Sequence, residues 1–208
     1  MTWRLLMRRS PSRSMTVVGD IAQTGDLSGA SSWSSVFTPY VADRWRLTEL
    51  TVNYRTPAEI MELAGKVLAG IDPDLRPPAS VRSTGEAPRV VRVAGDLVVA
   101  LEEEVRHAYV RLGEGRLGVL VPDAAFGELS TAVLAVVPHA AVGSDPDLTA
   151  PVAVLTVAQA KGLEFDDVIV VDPDAIVAAS PRGSSDLYVA LTRATQRLTL
   201  VTQDPTRW

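Results

Sequence analysis

Apolar and polar positions change period in a regular order along the chain. Near the start, Met15-Thr16-Val17-Val18-Gly19-Asp20 is a short apolar run closed by Gly-Asp, which predicts a buried strand that delivers a polar residue at its end. The Ser- and Gly-rich stretch 24–35, interrupted by Trp33, reads as a loop. Residues 46–52 alternate at the period of a strand. Asn53-Tyr54-Arg55-Thr56-Pro57 then opens a helix, with Thr56 as N-cap and Pro57 at the first helical position. Ile60, Leu63, Ala64, Val67 and Leu68 share one face of that helix. A connection over 70–88 carries Pro73, Pro77, Pro78 and Pro88. Beyond it, strand patterns at 89–93, 116–122, 152–157, 168–171 and 198–202 alternate with helix patterns at 96–111, 124–137 and 184–194. The continuous β-branched runs at 152–157 and 168–171 belong to strands buried on both faces. Their alternation with helices predicts an α/β fold, a doubly wound parallel sheet. In such sheets ligands bind where strands end, which directs attention to the residues just after each strand.

Composition narrows the chemistry. The chain has 208 residues, 47% hydrophobic and 22% charged, enough for one domain or slightly more. It has no cysteine, so disulfides and thiolate-bound zinc or iron–sulfur clusters are excluded, and two histidines, His107 and His139, argue against a histidine metal cluster. With no apolar run near ~20 residues and no signal-type block, the expectation is a soluble, cytoplasmic protein. The net charge is −5, and only Lys66 and Lys161 are lysines among twenty basic residues. That balance argues against a strongly basic nucleic-acid surface and predicts a weak grip on DNA by this chain alone.

Four polar clusters accompany the predicted strands: Gly19-Asp20-Ile21-Ala22-Gln23, Asn53-Tyr54-Arg55-Thr56, Gln159-Ala160-Lys161-Gly162-Leu163-Glu164-Phe165-Asp166 and Tyr188-Val189-Ala190-Leu191-Thr192-Arg193-Ala194. Singly, each has a plain structural reading as a turn, a surface arginine or a cation near a helix end. Together and in this order, over roughly 17–198, they resemble the later motifs of superfamily 1 helicases of the UvrD/Rep type. The resemblance implies a RecA-like P-loop NTPase fold and an ATP-dependent DNA helicase or translocase. On it Gln23 senses the γ-phosphate of ATP, Arg55 reaches that phosphate from the opposite domain, and Arg193 is the second arginine, an arginine finger. Tyr54 packs on the base, Glu164 lies near the ribose, and Gly162 belongs to the same nucleotide-binding set. Thr156, Gln159 and Lys161 are the nucleic-acid or coupling residues. Two arginines closing on a nucleotide held elsewhere would tie hydrolysis to domain closure.

The string G-x-x-x-x-G-K-[ST] that cradles phosphate and holds Mg²⁺ is not in the sequence: Lys161 is followed by Gly162 and Lys66 by Val67. The resemblance therefore implies that residues 1–40 are a remnant of the first RecA-like domain and 41–208 the second. ATP and Mg²⁺ would be bound mainly by the N-terminal RecA-like domain of the same protein, with single-stranded or duplex DNA as further partner and no turnover by this piece alone. Two features depart from the family pattern. The interval between Arg55 and Lys161 has no room for the large subdomain many members insert, and Ala158-Gln159 stand where unwinding members often have His-Ser. With Ser180-Pro181-Arg182-Gly183 ahead of the arginine-finger helix, the chain is also similar to HelD-like proteins, which keeps open an RNA polymerase-interacting module. Trp33 and Trp45 read as core or interface aromatics before base-stacking ones, His107 as part of a solvated face, and Asp166 and Asp167 as strand caps more than a metal pair. Residues 206–208 read as a tail.

Overall fold

The computed structural model describes residues 2–12, 14–21, 23, 32–73 and 75–203. Helices α1 (Thr2–Arg9) and α2 (Trp33–Val41) come first. Strand β1 (Val52–Asn53), helix α3 (Ala58–Ile71) and strand β2 (Ala79–Ser80) follow. The main body runs β3 (Arg89–Arg92), α4 (Leu97–Leu112), β4 (Leu117–Val121), α5 (Phe126–Val136), β5 (Val152–Thr156), β6 (Phe165–Val171), α6 (Pro173–Ala178), α7 (Gly183–Leu191) and β7 (Ala194–Thr202). Its strands form one sheet in the order β3-β7-β6-β4-β5, and every pair in it is parallel.

The period of two within each strand feeds two cores. Leu117, Val119, Val121, Val152, Val154, Ile169 and Val171 point to the face covered by α4 and α5. Leu120, Ala153, Leu155, Val168, Val170 and Leu200 point to the face covered by α3, α6 and α7. Each fully buried aliphatic side chain contributes about 1.5–3 kcal/mol, so this two-faced sheet is where the stability of the domain lies. Helix α4 starts where expected, because the Asp96 side chain accepts a hydrogen bond from Val98 N at 2.8 Å. Two glycines allow close approaches. A Cβ on Gly118 would stand 2.7 Å from the Phe165 ring, and one on Gly183 would stand 2.0 Å from the Val177 carbonyl oxygen.

Several expectations change. Residues 15–20 form no strand; among the described residues none pairs with them, and Val18 is 87% exposed. An apolar run without a neighbouring strand has no ladder to join. Of the expected loop at 24–35, residues 24–31 lie outside the described residues, and Trp33–Ser35 begin α2, capped by the Ser32 side chain. Trp33 stacks on Phe37 at 5.7 Å, and Trp3 and Trp45 join the same cluster, so Trp33 and Trp45 are packing aromatics. The alternating stretch 46–52 reduces to β1, whose partner is β2 inside the proline-rich connection. Helix α3 begins after Pro57 without a side-chain cap, and Thr56 is buried instead. Strands β6 and β7 both start earlier than the hydrophobic pattern indicates, β7 at Ala194 in what reads as helix. Among the described residues, no helix is long and apolar enough to cross a membrane.

Candidate functional site

The starts of β6 and β7 lie side by side, tied by Phe165 N–H donating to the Arg193 carbonyl at 3.0 Å. Glu164 and Arg193, the residues just ahead of these strands, are thereby held at one edge of the sheet. Arg55 is brought there by Asn53. The Asn53 Oδ1 accepts from Arg55 N at 3.0 Å and Thr56 N at 3.2 Å, and its Nδ2 donates to the Thr56 carbonyl and to Ser80 Oγ. This Asx turn fixes the backbone of Arg55, to whose carbonyl Arg82 also donates at 3.1 Å. The Arg55 guanidinium meets the Glu164 carboxylate at 2.5 Å, with both side chains about half exposed, at 47% and 45%.

Arg193 is only 4% exposed. Its Nε donates to the Val189 carbonyl at 3.1 Å, Nη1 to the Leu163 carbonyl at 3.1 Å and Nη2 to Thr192 Oγ1 at 3.4 Å. Three of an arginine's five donors are used in this way. Burial first, and then the positive charge of Arg55, push the Arg193 guanidinium below its ordinary value, while Glu164, Tyr188 and Asp20 pull it back. Burial, followed by the charge of Asp20, pushes the Tyr188 hydroxyl up to about 12. Asp20 thus acts on both Tyr188 and Arg193, and Gln23 Nε2 donates to Asp20 Oδ2 at 2.8 Å. The described structure therefore gathers Arg55, Glu164, Arg193 and Asp20, with Gln23 attached through Asp20. Tyr54 stands in solvent at 72% exposure. Gly162, at φ +84°, turns the chain in a left-handed conformation and lines an open cleft of about 270 Å³ with Arg116, Leu148, Leu163, Glu164 and Phe165.

Thr156, Gln159 and Lys161 lie elsewhere, at the edge where β5 ends. Gln159 is bound internally: its Oε1 accepts from Thr156 N at 2.9 Å and its Nε2 donates to the Gly143 carbonyl at 2.7 Å. The Lys161 ammonium faces Asp186 at 3.3 Å, in a smaller cleft of about 130 Å³ shared with Asp123 and Ala158. Weighting the strand ends, as the sequence argument does, finds this edge but not the arginine edge, which sits where strands begin. Segment 157–164 and helix α7 each run from one edge to the other. The first carries Lys161 and Glu164; the second starts near Asp186 and supplies the carbonyl that holds Arg193.

Asp166 and Asp167 are strand-start residues. Asp166 accepts from Arg116 N and Gln196 Nε2, each at 2.8 Å, and buried Asp167 pairs with Arg111 and Arg197. Among the described residues no group of three or more His, Asp or Glu is placed to hold a metal ion. Sequence reasoning missed Asn53 as the organiser of Arg55, although an Asn two residues before an arginine at a helix entry is an Asx-turn signal. It also missed Asp186, which meets Lys161 across the chain, and the charge of Asp20 felt by Tyr188, both long-range effects without a local pattern.

A parallel sheet covered on both faces, with Arg193 at the junction between α7 and β7, is an α/β fold. Residues 151–201 match the family model of the UvrD-like helicase C-terminal domain, which takes in Thr156, Gln159, Lys161, Gly162, Glu164 and Arg193. Among solved structures, the C-terminal domain of a possible DNA helicase from Lactobacillus plantarum WCFS1 is similar at TM-score 0.56 and 23% identity, over 72% of this chain and 87% of that one. The PRRSV helicase is similar at TM-score 0.49 and 19% identity, over 95% of this chain and 32% of that one. No curated protein matches the chain at a significant level. At 23% identity, the likeness to the first of these speaks to the fold alone.

Proposed function

We propose that this chain is the C-terminal motor domain of an ATP-dependent DNA helicase or translocase, with residues 41–208 as the second RecA-like domain and 1–40 as part of the first. What supports this most is one juxtaposition: Arg55 pairs with Glu164, and Arg193, which comes from a distant segment, donates to the carbonyl of the neighbouring Leu163 at the same sheet edge. Phosphoryl transfer needs positive charge on the transferring group, and a planar guanidinium supplies it through a geometrically matched fork. In this reading Arg55 and Arg193 are the arginines directed at the γ-phosphate, Gln23 senses it, Tyr54 takes the base, Glu164 lies near the ribose, and Gly162 belongs to the same nucleotide-binding set. Thr156, Gln159 and Lys161 couple that edge to nucleic acid through segment 157–164. ATP, when bound, supplies the phosphoryl group, and Mg²⁺ its charge neutralisation. The residues here fit the phosphate end of such a ligand, and among the described residues no metal ligand set is placed; in this reading the cradle and the metal ligands belong to an N-terminal RecA-like domain. In a protein that includes that domain, Arg55→Ala or Arg193→Ala is expected to lower ATP turnover by about 10³-fold. A loss below about tenfold overturns the assignment. The isolated chain is expected to show no turnover above background.

A second reading is favoured by the strand-end edge. Gln159 is committed to Gly143 and Thr156, and Lys161 faces Asp186, so this edge offers little unpaired positive charge to a phosphate backbone. A HelD-like module docking on RNA polymerase fits such an edge. Steeply salt-dependent binding of single-stranded DNA favours the translocase; binding absent even at low salt favours the docking module.

A further inference from the structure

At the arginine edge, each of the three residues directed at phosphate in the reading above already meets an acceptor of the chain itself. Arg55 holds the Glu164 carboxylate, Gln23 donates to Asp20, and Arg193 donates to the carbonyls of Leu163 and Val189. A carboxylate offers an arginine fork the same pair of oxygens that a phosphate offers, so the two compete for one guanidinium. We propose that Glu164 is the internal counter-ion of Arg55, closing this edge to small anions at rest, and that a polyphosphate enters by displacing it. The proposal rests on reading Arg55 as phosphate-directed.

The local construction suits such an exchange. The backbone on both sides of Glu164 is pinned, since Arg193 donates to the Leu163 carbonyl and the Arg193 carbonyl accepts from Phe165 N. The Arg55 backbone is pinned by Asn53. Only the two side chains, each about half exposed, have room to part. An ion pair this open holds its partners together by no more than about fivefold. That is weak against a multiply charged ligand and sufficient against a single carboxylate or chloride. Once displaced, Glu164 stands without its partner beside a polyanion, a repulsion relieved only by a ligand that brings hydrogen-bond donors of its own. The exchange therefore discriminates in favour of a polyphosphate carrying hydroxyl groups over bare polyphosphate.

Calorimetric titration of the chain at low salt, first with tripolyphosphate and then with ATP, tests this. Glu164→Gln is expected to tighten tripolyphosphate about fivefold and to narrow the preference for ATP, whereas Arg55→Ala removes binding. Glu103→Gln, which deletes the same charge from an exposed position on α4, is expected to change neither. Binding that needs Arg55 but is unchanged or weakened by Glu164→Gln overturns the counter-ion and leaves Arg55 as the phosphate-directed residue. Equal tightening by Glu103→Gln reduces the effect to overall charge and overturns it as well. Tripolyphosphate that does not bind, or that binds without Arg55, overturns the reading of Arg55 and the counter-ion together.

Discussion

The two edges of the sheet treat their cations differently. Where β6 and β7 begin, Arg193 is 4% exposed and fixed by two carbonyls and a hydroxyl. Where β5 ends, the Lys161 side chain is 37% exposed and meets one carboxylate. Side-chain chemistry accounts for the contrast. A guanidinium is weakly hydrated and carries its donors in a rigid plane, so it can be buried against backbone carbonyls and stay charged; an ammonium is a strongly hydrated point charge that keeps to the surface. Arg193 is consequently fixed by the backbone around it, whereas Lys161, on one partly exposed contact, is the more adjustable cation. Segment 157–164 and α7 join them, so a displacement at either edge has a short covalent route to the other.

The largest expected effect that sharpens this contrast is in turnover. In a protein that includes the first RecA-like domain, Arg193→Ala should lower ATPase activity about 10³-fold. Lys161→Ala should instead weaken single-stranded DNA binding and reduce its salt slope by about one. Equal ATPase losses for the two would break the distinction between the edges. Next in size is the hinge between α6 and α7. Gly183→Ala puts a methyl group into the Val177 carbonyl, a backbone contact that no rotamer relieves. Urea unfolding should show a loss of about 3 kcal/mol, the upper end of what overpacking costs. Gly162→Ala meets open space and pays only for its left-handed φ, about 1–2 kcal/mol. A smaller loss at Gly183 than at Gly162 would mean that α7 is not clamped at its start.

Replacing like by like separates the edges more finely. Arg193→Lys keeps the charge but cannot reach the Val189 and Leu163 carbonyls and the Thr192 hydroxyl together, which should cost about 1–3 kcal/mol. Lys161→Arg, on a surface pair, should stay within about 0.5 kcal/mol. Thermal denaturation of both variants checks this, and a destabilising Lys161→Arg with a neutral Arg193→Lys would reverse the assignment of fixed and adjustable edges.

How far the sequence could be read follows the same division. Strands β4 and β5 and helices α4 and α5 are legible because their residues obey one period and face a core directly; Asp96 even marks the start of α4. The early part of β6 is not legible, since Asp166 and Asp167 read as caps ahead of the strand, whereas Arg111, Arg116, Gln196 and Arg197 supply partners that hold them inside it. The start of β7 reads as helix because Ala194 continues the apolar pattern of α7, while a tight turn at Thr192 and Arg193 redirects the chain. At 15–20 the apolar pattern promises a strand, but no strand pairs with it among the described residues. Of the candidate site, Arg55, Glu164 and Arg193 could be picked out as motif residues, whereas their meeting at the strand-start edge depends on sheet register and on the Asn53 turn. Register is a property of paired strands, and no single segment contains it.

The smallest effect concerns how the Arg55 turn is propped from outside. Glu59, in the first turn of α3, accepts hydrogen bonds from Ser83 Oγ at 2.5 Å and from Gly85 N at 2.8 Å. That loop begins next to Arg82, which donates to the Arg55 carbonyl. The bond from Ser83, followed by backbone N–H donors, holds the Glu59 carboxyl at about 2 against an ordinary 4.5. Because the folded value is the lower one, the unfolded chain takes up the proton first as pH falls. The stability owed to Glu59 is therefore fully present above about 4.5 and is lost as pH drops from there toward 2. Wild type should exceed Glu59→Gln in stability at neutral pH, and the gap should close across that window, with the Gly85 amide losing protection from hydrogen exchange in step. A gap that widens in acid would mean that the carboxylate is not what braces this loop. The Arg55 turn would then be held by Asn53 and Arg82 without support from Glu59.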